Sequence, residues 1–423
     1  MIKRIKIEGY KSFKSLDLKL SPVSVIFGPN ASGKSNLLDA IDLLSRMATC
    51  PSLADAFEGH RGLAKESFHY GAGMDRNKKP VAMSFEVDVE IPDTVVNKIN
   101  KLILEKREGI DSAESPKLYV RERFLRYGIT LERLPETGHL RVMNERLAAL
   151  TKNGEQKGGR NPFLERQDDG PKHRIHLRME GQGHPIYHQV GLDHTLVSTS
   201  LYEPHYPHIA AFREELSRWK TYYLEPKTLM RAEEPISPVQ EVGPRGQNLV
   251  AFLNNMKSVD SKAFDNFSRT LSMALPFKAD VGIDHLDDGR LMLRLTERDL
   301  NLSYSARLMS EGTLRLMGLI AAVFPRTPGT VVCYEEPENG VHPSRIRIIA
   351  DILKGAAEYY SKQVIVTSHS PVFARQFEEE QLFVCRKRGR ESSIEPFGPI
   401  GEVFKELNIE EALEDRISRR RNG

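Results

Sequence analysis

The stretch VSVIFGPNASGKSNLLDAIDLLSRMA, residues 23–48, decides the fold. Its first residues are a short, mostly apolar run that suits a buried strand, and its last ones place apolar side chains at helical spacing. Between them stands GPNASGKS, residues 28–35, a full GxxxxGK[ST] pattern in the strand–loop–helix setting the pattern requires. The glycines let backbone N–H groups curl around a phosphate, and the helix start adds partial positive charge. Lys34 reaches β- and γ-phosphates and Ser35 offers a hydroxyl to Mg²⁺. Gly28, Pro29, Asn30, Ala31, Ser32, Gly33, Lys34, Ser35 and Asn36 are therefore expected to hold a nucleoside triphosphate.

Working outward, VVCYEEPENGVHP (331–343) sets Glu335 and Glu336 side by side after an apolar run, a costly place for charge. A phosphate loop supplies the reason. It needs a second strand that delivers a carboxylate to the Mg²⁺ shell, and Glu335 is expected to face the hydrated metal. Glu336 points elsewhere and is placed to polarise the attacking water as general base. VIVTSHSP (364–371) is a buried strand ending in Ser368 and His369, where a histidine can donate a hydrogen bond to a γ-phosphate. Ser310, Glu311 and Gly312 open the run EGTLRLMGLIAAVF as another anion-binding helix start; taken alone, an ordinary N-cap by Ser310 reads equally well.

The chain has 423 residues, 28% charged and 39% hydrophobic, enough for two domains or one large α/β domain with an insertion. A net charge of +3 neither demands nucleic acid nor excludes it. Cys50, Cys333 and Cys385 lie far apart without a CxxC pair, so a disulfide scaffold or cysteine zinc site does not fit and a reducing compartment does. MIKRIKIEGY alternates like a strand, not a signal peptide, and no window approaches the roughly 18 apolar residues of a membrane span. A cytoplasmic protein without a membrane partner is expected.

Residues 1–27 read as short strands and VAMSFEVDVEI (81–91) as another. Over 93–225 the pattern changes. KLYVRERF and YGITLERL look like strands, TKNGEQKGGRNPFLERQDDGPK like a loop or disordered stretch, and 208–220 like a helix. From 226 onward NLVAFLNNM, EGTLRLMGLIAAVF and SRIRIIADILKGAAEYY read as helices, and GRLMLRLTE, TVVCYEE and KQVIVTSH as strands. The expected fold is α/β: N-terminal antiparallel strands, a mainly parallel core sheet flanked by helices, and an inserted α+β subdomain. The boundaries are an N-terminal lobe at 1–92, the insertion at 93–225, a C-terminal lobe at 226–385 and a basic extension at 386–423.

GPNASGKS, MSEGTLR, YEEPENGVHP and VIVTSHSP, in that order, resemble the ABC-type P-loop ATPases, more narrowly the SMC/RecF/OLD-like branch of AAA-family ATPases. The resemblance covers about residues 1–92 and 226–385, including the tract YYLEP…GPRGQNLVAFL. It implies ATP and Mg²⁺ as ligands and an ATPase activity. Gly28 to Ser35 match Walker A, Ser310, Glu311 and Gly312 the signature, and Glu335 with Glu336 Walker B and its catalytic glutamate. Asn339 to His342 match the D-loop and His369 the switch histidine. Lys34, Glu336 and His369 thereby become the catalytic candidates and Ser35 with Glu335 the metal candidates. The resemblance also implies a homodimer, or higher oligomer, with ATP sandwiched head to tail between signature and Walker A. Three departures stand out: Glu335 replaces the Walker B aspartate, SEGT replaces SGGQ, and no Q-loop glutamine follows the first helix, where GHRGLAKESF (59–68) offers Arg61 or a nearby residue.

Seven histidines lie between 173 and 208, but PHYPH lacks a carboxylate at helical spacing, which disfavours metal binding by His205 and His208. The runs RKRGR (386–390) and RISRRR (416–421) suit nucleic-acid phosphates or a solvated tail, and among Lys3, Lys6, Lys11 and Lys14 one or two are placed to approach the nucleotide. The leading expectation is an ATPase whose dimerisation controls an effector encoded nearby, in bacterial anti-phage defence. A RecF-like repair ATPase that binds DNA is the alternative. A transporter cassette is disfavoured by the long insertion. A nuclease is disfavoured by the 54 residues after His369, which hold no paired-aspartate strand.

Overall fold

In the computed structural model, the described residues are 1–70, 80–107, 119–169, 172–180, 185–325 and 327–397. A six-stranded sheet forms the centre, in the order Trp219–Tyr222, Val331–Glu335, Gln363–Ser368, Val23–Phe27, Leu382–Arg388, Glu391–Pro396. The first five strands run parallel and the last pairs antiparallel with its neighbour. Parallel strands are covered on both faces, which explains their unbroken apolar runs. Ile26, Val331, Cys333 and Ile365 enter one core, while Val25, Val332, Tyr334, Val364 and Val366 enter the other.

The first core lies under the helices Lys34–Thr49 and Pro207–Ser217 and an eight-stranded antiparallel sheet. That sheet runs Phe13–Lys19, Ile2–Tyr10, Val81–Glu90, Phe124–Arg133, Leu140–Ala149, Leu164–Asp169, Lys172–Leu177, Ile186–Gln189. Five strands from 93–225 thus continue the sheet begun by the N-terminal strands, while Trp219–Tyr222 joins the central one. Gln363 fastens this sheet to the centre: its carbonyl accepts from Ile2 N–H at 2.7 Å and its amide donates to Ile2 O at 2.8 Å. The second core is roofed by the helices Leu249–Val259, Ser261–Ala274, Glu311–Val323 and Ile346–Tyr360, beside the small antiparallel sheet Glu234–Pro235, Arg290–Glu297, Ala279–His285 and Leu302–Ser305.

Three local readings differ. The helix expected over 208–220 stops at Ser217, and Trp219–Tyr222 turns into the edge strand beside Val331–Glu335. Of the described residues of KLYVRERF, 119–124, only Phe124 enters a strand. Part of the stretch taken as a loop forms the strand Leu164–Asp169, paired with Lys172–Leu177; Leu164, Ile175 and Leu177 enter the first core, but so few apolar residues carry little alternation.

Candidate functional site

The strand Val23–Phe27 lies inside the sheet, so its C-terminal end opens onto the loop 28–33 and the start of the Lys34–Thr49 helix. Gly33 has φ 103°, a left-handed conformation that favours glycine, and a Cβ there would sit 2.4 Å from Ser392 Oγ and 2.8 Å from Ser12 Oγ. Gly28 is constrained differently: a Cβ would approach Cys385 O to 2.3 Å. The loop is therefore wedged between the β-turn at Ser12 and the hairpin strand carrying Ser392, whose hydroxyl donates to Ser32 O at 2.6 Å. Pro29, Asn30 and Ala31 form an exposed rim, while Ser35 and Asn36 are half-buried, with Asn36 donating to Ser12 Oγ at 2.6 Å.

Lys34 is buried, and its ammonium folds back onto the loop, donating to Gly28 O at 2.8 Å and Pro29 O at 2.9 Å. Burial pushes its pKa down, opposed by the charges of Glu336, Cys385, Glu338 and Glu335. The parallel register, which aligns Glu335 with Thr367 and Ser368 with Phe27, puts the acidic strand end and the P-loop lysine at the same end of the sheet. Val331–Glu335 reaches it because only Gln363–Ser368 lies between it and the P-loop strand.

The two adjacent glutamates are separated by a backbone turn. Glu335, the last strand residue, accepts from Arg61 Nη2 at 3.0 Å, while its Oε1 is buried with no partner among the described residues. Glu336 has φ 46°, rare for a residue with a side chain and costly to hold. This turn sends its carboxylate to His369 Nδ1 at 3.1 Å and Asn339 Nδ2 at 2.6 Å. His369 is partly exposed at the end of its strand, so the histidine, the glutamate and the first residue of the 339–342 turn form one cluster.

Ser310, Glu311 and Gly312 are tied elsewhere. Ser310 is exposed and caps its helix by accepting from Thr313 N at 3.1 Å; Glu311 pairs with Lys227 at 3.5 Å. Gly312 packs on the 339–342 turn so closely that a Cβ would lie 2.0 Å from Gly340 O.

Sequence reading missed two parts of this edge. Glu338 is buried, its carboxyl pKa raised by burial, and it accepts from Ser368 Oγ at 2.5 Å. Asp39, one turn into the P-loop helix, accepts from Lys11 at 2.5 Å and Tyr223 Oη at 2.7 Å. Of the four N-terminal lysines, Lys3, Lys6 and Lys14 pair with Glu90, Glu8 and Glu391, and only Lys11 meets the P-loop helix.

His208 is structural. Its Nε2 accepts from the backbone N–H groups of Arg121 at 3.0 Å and Glu122 at 2.9 Å, so the proton sits on Nδ1, 2.7 Å from Glu180. Both ring nitrogens are thus engaged, and the described residues hold no group of three His, Cys, Asp or Glu suited to a metal ion. His208→Ala is expected to cost about 2–4 kcal/mol, because it orphans two backbone N–H groups and takes one donor from Glu180, which keeps Arg160; a thermal melt measures it. Arg386 to Arg390 sit at the tip of the hairpin Leu382–Arg388/Glu391–Pro396, mostly exposed, whereas 416–421 lies outside the described residues.

A glycine loop on a central parallel strand, with paired acids ending the next strand but one, is the arrangement of a P-loop nucleotide-binding fold. Comparisons with known proteins agree. Residues 193–375 match the family "AAA domain, putative AbiEii toxin, Type IV TA system", and residues 1–112 match "AAA ATPase domain". The OLD nuclease of Thermus scotoductus (strain ATCC 700910 / SA-01) is 22% identical over 392 residues, which cover 92% of this chain and 62% of that protein. The DNA replication and repair protein RecF of Corynebacterium jeikeium (strain K411) is 36% identical over 62 residues, 14% of this chain and 15% of that one. This chain therefore spans less than two thirds of either relative. In fold it is similar to an Smc head bound to the C-winged helix domain of ScpA (TM-score 0.54, 13% identity, 93% of this chain and 97% of that one). The Smc head with an extended coiled coil bound to the C-terminal domain of ScpA, derived from Pyrococcus furiosus, gives TM-score 0.51 at 12% identity, covering 96% and 99%. Both matched segments are similar to AAA-family ATPase domains, and the chain as a whole resembles the ABC-type ATPases of the SMC/RecF/OLD-like branch. None of its described helices is long and apolar enough to cross a membrane.

Proposed function

We propose that this chain is an ATP-driven switch: two copies close head to tail around ATP, and the closure controls an effector protein in bacterial anti-phage defence. One observation carries the reading. Lys34, Glu335, Glu336 and His369 gather at one sheet edge, while Ser310 is exposed on a separate helix start. A phosphate site so divided is completed by the Ser310 helix of a second copy, whose N–H groups and hydroxyl suit the γ-phosphate. In this reading residues 1–92 and 226–385 are the two lobes of one head, 93–225 is an insertion and 386–423 a basic extension.

Mg²⁺ fits the residues present, because the buried, unpartnered Oε1 of Glu335 needs a positive neighbour and Ser35 supplies a hydroxyl. When bound, the ion supplies neutralising charge to the β- and γ-phosphates. Lys34 exchanges two carbonyl partners for phosphate oxygens. Glu336, held by Asn339 and His369, accepts the proton of the attacking water. The effector is supported by the toxin family description and by the ScpA domains bound to the Smc heads.

Gly312→Ala tests the division of labour. A methyl at 2.0 Å from Gly340 O forces the signature away from the 339–342 turn. ATP binding to the Lys34 loop is expected to persist while kcat falls about tenfold or more. Weaker ATP binding with unchanged kcat would contradict this.

A second reading, direct DNA binding by a RecF-like ATPase, is favoured by the match to RecF and by the exposed Lys387, Arg388 and Arg390. It predicts duplex affinity that falls with salt at a slope of about −0.9 per phosphate contact. Absence of binding at about 50 mM salt leaves the effector reading.

A further inference from the structure

Arg61 stands where two acids from different elements converge. Its Nη2 donates to Glu335 Oε2 at 3.0 Å, its Nε lies 3.6 Å from Asp39 Oδ1, and its guanidinium lies over the Tyr223 ring at 4.3 Å. Asp39 is 2% exposed and is also held by Lys11 and Tyr223, so it cannot swing away with the arginine. Segment 59–68 is thereby pinned between the P-loop helix and the acidic strand end.

A glutamine at this place could offer a carbonyl oxygen to a metal. Arginine cannot: a guanidinium has five donors, no acceptor, and stays protonated. It supplies Glu335 instead with the kind of charge a metal would supply. We propose that Arg61 is a positioning residue, the resident counter-ion of Glu335, which Mg²⁺ arriving with ATP must share or displace, so that Arg61 sets how much Mg²⁺ the site requires. The proposal rests on the assignment of Glu335 to the metal given above.

Two cations competing for one carboxylate weaken each other. The Arg61–Glu335 pair is partly exposed (47% and 25%), so the expected effect is modest. Removing the guanidinium is expected to tighten metal binding about threefold, the scale of a partly exposed ion pair.

Mn²⁺ titration read by electron paramagnetic resonance, with a non-hydrolysable ATP analogue bound, tests it. Arg61→Gln is expected to bind Mn²⁺ about threefold more tightly than the natural chain, and Arg61→Lys to fall between, because an ammonium keeps the charge but loses the planar fork spanning both acids. On a Glu335→Gln background the Arg61→Gln effect is expected to shrink, since the contested carboxylate is gone. Unchanged or weaker Mn²⁺ binding by Arg61→Gln overturns the proposal. Should Arg61→Gln fail to fold, the comparison moves to Arg61→Lys, where an unshifted Mn²⁺ affinity overturns it equally. Analogue binding in Mg²⁺ and in EDTA separates the two levels of inference. A natural chain that binds no analogue in either Mg²⁺ or EDTA defeats the ATP-site reading, whereas normal analogue binding with unshifted metal affinity defeats only the role of Arg61.

Discussion

Glu336→Gln is expected to lock the protein as an ATP-bound pair of chains. The carboxylate is held by Asn339 and His369 at a backbone turn with φ 46°, a strained arrangement. Glutamine keeps the size and an acceptor for Asn339 Nδ2, but it cannot take a proton from water. General-base loss costs about 10²–10⁴-fold in rate, so kcat is expected to fall by at least about a hundredfold. ATP affinity is expected to hold, since ground-state contacts to phosphate come from the loop and Lys34. The mutant should therefore accumulate the closed state, read as a doubling of mass in light scattering with ATP and Mg²⁺. A mutant that stays monomeric under those conditions counts against the head-to-tail arrangement.

Lys34→Ala removes the buried ammonium from the loop. Two carbonyls, Gly28 O and Pro29 O, lose their donor in the free protein, and the phosphates lose theirs in the complex. A charge-assisted contact of this kind is worth about 1.5–3 kcal/mol, and one lysine serves more than one phosphate oxygen. ATP binding is expected to weaken at least about a hundredfold. Filter binding with labelled ATP measures it; retained affinity would remove the phosphate-loop assignment. The stability cost should be small by comparison, because the loop is also held by Ser392, Ser12 and Cys385.

Much of the site was legible because its chemistry requires contiguous residue types. The loop at 28–35 and the pair at 335–336 each sit at a strand end, and a strand end followed by a helix start or a tight turn is written locally. The sequence also showed that the strands bearing them are buried runs, which places them inside a parallel sheet. What could not be read is contact between distant segments. Arg61, Asp39 and Tyr223 meet through tertiary folding of three elements, and no motif joins them. Glu338 was passed over although it is the third acid of EEPE; its burial against Ser368 appears only when two strands are laid side by side. Sequence disfavoured metal binding by the PHYPH histidines, but only the two N–H groups donated to Nε2 of His208 mark it as a structural strut. The strands Leu164–Asp169 and Lys172–Leu177 were hidden for another reason: Leu164 in the first and Ile175 and Leu177 in the second are too few to show the apolar alternation that announces a strand.

The most direct measurement is calorimetric titration of the natural chain with ATP, once in Mg²⁺ and once in EDTA. Saturable binding of one nucleotide per chain, tighter with the metal than without it, is the predicted result. Absence of saturable heat in both buffers would contradict the assignment of the sheet edge at Lys34, Glu335 and Glu336 to Mg²⁺–ATP.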